Sequence, residues 1–265
     1  MMRMEPWSPG PYSKPSRFHM VIMGVGGTGG AFVQGLGRLL YGVAHQPDRN
    51  PPEVSVTLWD GDRVEEHNLG RQPFVPQDIG KAKATVLANR FGGVYALPWD
   101  ANPHYIETAE EVLQVLRDPY SVFPMLVGCV DNHPTRKILH EAFQMLSRGL
   151  YVDCGNDGVA ADNPETSGYS GQCVVGLRWD NKEILPPVGG VYPDILTDTS
   201  APHPTAACGV QAVNEPQRLI TNLWSAQAAL SIVNTFIATG TVRVRQVDFN
   251  ALNDHVRPTY VTRAS

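Results

Sequence analysis

The sequence contains no C-x-x-C pair. Its four cysteines, Cys129, Cys154, Cys173 and Cys208, are scattered along the chain, so neither a zinc clip nor a thioredoxin-type dithiol is signalled. No apolar run approaches the roughly 20 residues that a membrane span needs. The Pro-rich start, MMRMEPWSPGPYSKPSR, lacks the apolar stretch of a signal peptide. Positive charge is scarce: 21 Lys and Arg stand against 26 Asp and Glu, a formal net charge of −5. That balance offers no electrostatic footprint for nucleic acid or a membrane surface. There is no internal repeat, no low-complexity block and no recognisable Ser-His-Asp set. His67, His133 and His203 sit singly in polar loops without metal-ligand spacing. A reduced, cytoplasmic protein is expected.

What is present is a chain of 265 residues, 42% hydrophobic and 18% charged, able to bury a substantial core in one domain. Residues 1–17 read as an arm and 18–265 as a single domain. FHMVIM (Phe18–Met23) reads as a buried parallel strand, followed by a glycine-rich turn and a helix to about Tyr41. GVAHQPDRNPPE (Gly42–Glu53) holds three prolines and reads as an inserted loop. VSVTLWD, GVYALPW, PMLVGCV and LYVDCG read as further strands. KAKATVLANRF, ETAEEVLQVLRD and PTRKILHEAFQML read as the helices between them. This alternation predicts an α/β fold, a Rossmann-like, doubly wound and mostly parallel sheet. In the second half, GQCVVGLRW reads as a strand and Asn181–Cys208 as a long crossover loop. RLITNLWSAQAALSIVNTFIA is the longest helical run, and VRVRQVDFN alternates as a strand.

Chemistry concentrates in the first half. Gly24, Gly26 and Gly29 match G-x-G-x-x-G after a strand and before a helix. The first makes the turn, the second lets the backbone approach phosphate, and the helix N-terminus supplies free N–H groups. Asp60 closes the next strand, where a carboxylate can accept ribose hydroxyls of either NAD or ATP. The stretch beyond it, DGDRVEEHNLGRQPFVPQDIGKAKA, separates the two nucleotides. Asn68, Arg71, Gln72, Lys81 and Lys83 crowd there, and a hydride-transfer enzyme has no evident need for them. Arg71 can fork onto phosphate oxygens, and Lys83 can act as a compact positive charge. Asp131, after the fourth strand, is placed either to hold Mg²⁺ or to cap the next helix.

The ordered set GVGGTGG, DGDRVEEHNLGRQ, DIGKAK and CVDNHPTR resembles the ThiF/MoeB family of E1-like (ubiquitin-activating-type) adenylating enzymes. The likeness covers about Met20 to Arg136 and continues more weakly through SGQCVV, ACGVQAV and SAQAALSIVNTF. Chain size and the lack of paired cysteines also resemble the ThiF-like branch of plasmid-borne PRTRC cassettes. The resemblance implies a Rossmann-like homodimer that adenylates a carboxylate with ATP and Mg²⁺. The carboxylate it implies is the C-terminus of a small ubiquitin-like (β-grasp) protein. It assigns Gly24, Gly26, Gly27 and Gly29 to the phosphates and Asp60 to the ribose. Asn68, Arg71 and Gln72 fall to the ATP pocket, and Lys83, rather than Lys81, to the phosphates. Asp131 falls to Mg²⁺, with Asn132 and Arg136 in the same motif. Arg71, Lys83, Asp131 and Cys208 are the catalytic candidates.

Departures from the family carry expectations too. Without C-x-x-C pairs, no zinc is expected. Arg3 and Arg17 are the candidates here for the arginine finger that relatives supply from an N-terminal helix. Cys208 lies where thioester-forming members carry their cysteine, ahead of a possible helix start that would lower its pKa. It reads equally as a small apolar residue under the crossover loop. Cys129 and Cys173 read as core and Cys154 as structural. Adenylation of a peptide or a tRNA-borne amino acid, or a nucleotide-binding assembly role without turnover, are the alternatives. A NAD-dependent oxidoreductase would leave Arg71, Lys83 and Asp131 without a role.

Overall fold

The structure is a computed structural model that describes residues 5–10, 13–45, 50–116, 121–199 and 217–262. Its centre is β1 (Arg17–Met23), flanked by β2 (Glu53–Trp59) and β4 (Phe123–Gly128) in parallel register. β3 (Trp99–Asn102) extends the parallel sheet beyond β2, and β5 (Gly149–Asn156) extends it beyond β4. β6 (Ser170–Trp179) turns back antiparallel to β5, and β7 (Lys182–Leu185) and β8 (Val244–Asn250) each pair antiparallel with β6. β9 (His255–Tyr260) closes the sheet antiparallel to β8. The path is β3-β2-β1-β4-β5-β6-β8-β9, with β7 to one side. The fold is the expected α/β, Rossmann-like arrangement, a parallel half continued by an antiparallel half.

Helices cover both faces, and strand alternation decides which residues meet which helices. Phe18, Met20 and Ile22 of β1 share one core with α1 (Gly27–Ala44), α2 (Lys83–Leu87) and α7 (Leu219–Thr239). Val21 and Met23 face a second core with α3 (Ala109–Leu116) and α4 (His133–Met145). Two short helices, α5 (Val188–Val191) and α6 (Asp194–Thr197), complete that second face. No helix among the described residues is long and apolar enough to cross a membrane.

Two readings are corrected. GVYALPW is not a strand: the chain stays helical to Val94, Ala96 turns left-handed at φ 52°, and β3 begins only at Trp99. The first part of the Asn181–Cys208 stretch is not loop. Asp180 and Asn181 both adopt positive φ, the requirement of a two-residue hairpin turn, and this folds β7 back on β6. HVRPTY forms a strand despite Pro258, because β9 is an edge where a missing N–H goes unused. The arm is also tied down, as Trp7 exchanges backbone hydrogen bonds with Val242.

Candidate nucleotide site

Gly24, Asp60 and Asp131 follow the carboxyl ends of three neighbouring strands, β1, β2 and β4. Strand order reverses there, β1 leading outward to β2 on one side while β4 lies on the other. The crevice at such a switch point is where open α/β sheets bind ligands. Gly24 sits at φ 81°, a left-handed conformation that favours glycine. Its N–H donates to the Trp59 carbonyl, and the Cys129 N–H donates to the Met23 carbonyl. Gly29 is required by proximity, since a Cβ there would stand 1.9 Å from the Gly24 oxygen.

Asp60 is bound to this turn directly. One carboxylate oxygen accepts the Val25 N–H at 2.7 Å and the other accepts the Asp62 N–H at 2.8 Å. Burial pushes its carboxyl up to about 6; Lys83 opposes that shift and Asp62 adds to it. Lys83 is buried on the first turn of α2, its Nζ 2.9 Å from Asp62 Oδ2, whereas Lys81 is exposed. Arg71 is half-buried and its Nη1 reaches the Gln217 carbonyl at 3.4 Å. Gln72 lies beside Gly26, and its Oε1 is buried without a hydrogen-bond partner. Asn68 is buried, its side chain accepting the Glu65 N–H at 2.9 Å, so it shapes the turn that carries Arg71 and Gln72.

At the β4 end, Asn132 caps α4 by accepting the Thr135 N–H at 2.9 Å. The capping alternative for Asp131 therefore falls to its neighbour, and Asp131 stands exposed at the crevice. Arg136 is buried: Nε donates to Asp153 at 3.1 Å, and Nη2 to the carbonyls of Val130 at 2.7 Å and Cys154 at 3.1 Å. Its guanidinium thus braces the backbone before Asp131 from below. Burial raises the Asp153 carboxyl to about 6, against the pull of Arg136 and the Tyr151 hydroxyl. Arg17 pairs with Glu53 at the opposite end of the strands. Arg3, His203 and Cys208 lie outside the described residues.

Several contributors had no motif to announce them. Asn222 on α7 and Asn156 on β5 join Thr28 on α1 in a hydrogen-bonded knot below the glycine turn. Asp62 and Tyr105 complete the surroundings of Lys83. A polar residue on the apolar α7 run was the available signal for Asn222.

The chain belongs to the ThiF family, whose model matches residues 1–264. Its fold is that of PaaA, with a TM-score of 0.61 at 17% identity, covering 94% of this chain and 65% of that one. E. coli MccB solved with ATP gives 0.57 at 15%, with 94% and 65% covered. MccB with AMPCPP and MccA gives 0.58 at 16%, with the same coverage. The chain thus spans a little under two thirds of the length of these structures. None of the curated proteins compared matches it.

Proposed function

We propose that this chain is an ATP-dependent adenylating enzyme that activates the C-terminal carboxylate of a small ubiquitin-like (β-grasp) protein. Membership of the ThiF family supports carboxylate adenylation in general. The observation that carries the reading is the convergence of the glycine turn, Asp60, Lys83 and Asp131 at one switch point. Residues 18–265 act as one adenylation domain with residues 1–17 as its arm, in the cytoplasm, within the PRTRC branch. The working form is a homodimer.

In the reaction, a carboxylate oxygen attacks the α-phosphorus of ATP. The bond from that phosphorus to the bridging oxygen breaks, and pyrophosphate leaves with the electron pair. The carboxylate is already ionised at neutral pH, so no general base is needed. Catalysis is positioning and charge stabilisation. Gly24, Gly26, Gly27 and Gly29 admit the phosphates to the α1 N-terminus, and Asp60 accepts the ribose hydroxyls. Gln72, beside Gly26, keeps a buried Oε1 without a partner, an acceptor for a donor from the nucleotide. Asn68 and Asn132 hold the turns that carry Arg71 and Asp131. Arg71 and Lys83 take up the charge that grows on pyrophosphate. When bound, Mg²⁺ would offset phosphate charge, and the exposed Asp131 would hold it, one protein carboxylate being typical of such sites.

ATP with Mg²⁺ is expected to raise the thermal midpoint and NAD to leave it unchanged. Ligand at about 100 times its dissociation constant adds roughly 2.7 kcal/mol. ATP–pyrophosphate exchange should then depend on a ubiquitin-like protein with a free C-terminus. Stabilisation by NAD alone would overturn the nucleotide assignment. A second reading takes a peptide carboxylate as substrate, favoured by the MccB structures that hold the MccA peptide. Exchange with a short peptide and none with the folded protein would select it. Cys208→Ala should retain exchange and abolish any thiol-labile adduct with the partner, read by denaturing mass analysis.

A further inference from the structure

We infer that Tyr105 is a positioning residue for Lys83, acting through the Asp62 carboxylate. Its effect on turnover rests on the adenylation reading above, while its effect on Lys83 rests on geometry alone. Asp62 is held from two sides. One oxygen lies 2.9 Å from the Lys83 ammonium, and the other accepts the Tyr105 hydroxyl at 2.5 Å. The backbone repeats the link: the Lys83 N–H donates to the Asp62 carbonyl at 2.9 Å. A lysine ammonium ends a flexible four-carbon stem and goes where its partner is held. With both carboxylate oxygens engaged, Asp62 cannot swing about its own side-chain bonds without breaking one contact.

A second observation shows that the approach of Tyr105 is built in. It comes from the segment after β3 and lies against Gly61. A Cβ on Gly61 would stand 2.6 Å from the Tyr105 ring and 2.7 Å from its backbone nitrogen. The absence of a side chain at Gly61 is what lets the phenol reach Asp62. Tyr105 is itself 40% exposed, so core packing does not account for this ring. Burial opposes ionisation of Asp62, but the Lys83 charge and the Tyr105 hydrogen bond hold its carboxyl below the ordinary range. Asp62 therefore stays ionised at neutral pH, and Lys83 stays where Asp62 puts it, near Asp60 and the glycine turn. Misplacing a charge-stabilising group by a fraction of an ångström costs rate more than binding.

The test is Tyr105→Phe, which removes the hydroxyl and keeps the ring. In nucleotide-free protein, acylation of Lys83 by an N-hydroxysuccinimide ester, read by mass spectrometry against Lys81, should rise several-fold. In pyrophosphate exchange, kcat should fall by about tenfold while KM for ATP stays within about twofold. The thermal midpoint should not move. In an Asp62→Asn background, Tyr105→Phe should add nothing, because the two changes break one linkage. Unchanged Lys83 acylation in Tyr105→Phe would overturn the inference. So would an equal loss in the Asp62→Asn background, which would assign Tyr105 to packing on Gly61. If the wild type catalyses no exchange with any carboxylate, the adenylation reading fails, and the acylation measurement still decides the placement of Lys83.

Discussion

Asp60 ties stability to pH and, under the proposed function, ties nucleotide binding to pH with the opposite sign. Its carboxyl titrates at about 6 in the folded protein against 3.8 for the ordinary group, with burial as the leading cause. Between those values the folded state holds more protons than the unfolded chain. Stability from this group is therefore full below about pH 4 and lost as pH rises through about 6. In the proposed reaction nucleotide binding would run the other way, because an ionised Asp60 carboxylate is the better acceptor for ribose hydroxyls. ATP affinity, measured by calorimetry, should strengthen from pH 5 to pH 7 while the urea midpoint declines. Asp60→Asn should flatten the affinity profile. It should only partly flatten the stability profile, since Asp153 titrates in the same window. Lys83 and Asp62 face Asp60, and the Asp62 carboxyl is itself held below the ordinary range.

At the scale of elements, α7 and α4 do different work. α7 drives Phe236 into the sheet, where its ring lies 6.1 Å from Phe18 and 5.1 Å from Phe123, centroid to centroid. Phe236→Ala leaves a cavity under β1 and β4 and should cost about 3–5 kcal/mol in urea unfolding. α4 instead brings a charge inward. Arg136→Met strands the buried Asp153 with the Tyr151 hydroxyl as its remaining side-chain partner in this group. Breaking a buried pair costs about 3–5 kcal/mol. Because the Asp153 carboxyl is already raised to about 6, protonation relieves the loss. The penalty should be smaller at pH 5 than at pH 8, and an unchanged penalty would remove Asp153 from the account.

At the scale of the molecule, α1, α7, β8 and β9 leave an apolar groove of about 950 Å³. Ile220, Leu223, Val256 and Tyr260 line it and are all exposed. Contiguous apolar surface of this kind marks an interaction face, and the proposed homodimer would cover it. Leu223→Glu should convert a dimer to monomers in sedimentation equilibrium without lowering the thermal midpoint of the isolated subunit. A wild type that sediments as a monomer at high concentration would refute the dimer.

Sequence alone marked the longer local elements. Short apolar runs marked β1, β2, β4 and β5, and the glycine spacing placed the turn after β1. The spacing of Asp60, Arg71, Gln72, Lys83 and Asp131 between those elements then pointed to ATP rather than NAD. Short or unusual elements escaped, because few residues carry their signal: β3, the hairpin at Asp180–Asn181, and β9 with its proline. Long-range partnership escaped altogether. Nothing in PTRKIL says that Arg136 turns inward to Asp153, or that Asn132 rather than Asp131 caps the helix. Nothing local brings Asn222 to Thr28 across 194 residues, or Tyr105 to Asp62 across 43. Motifs record which groups a ligand needs nearby in the chain. Buried charges and hydroxyls find their partners only when packed strands and helices exclude water and leave them no other choice.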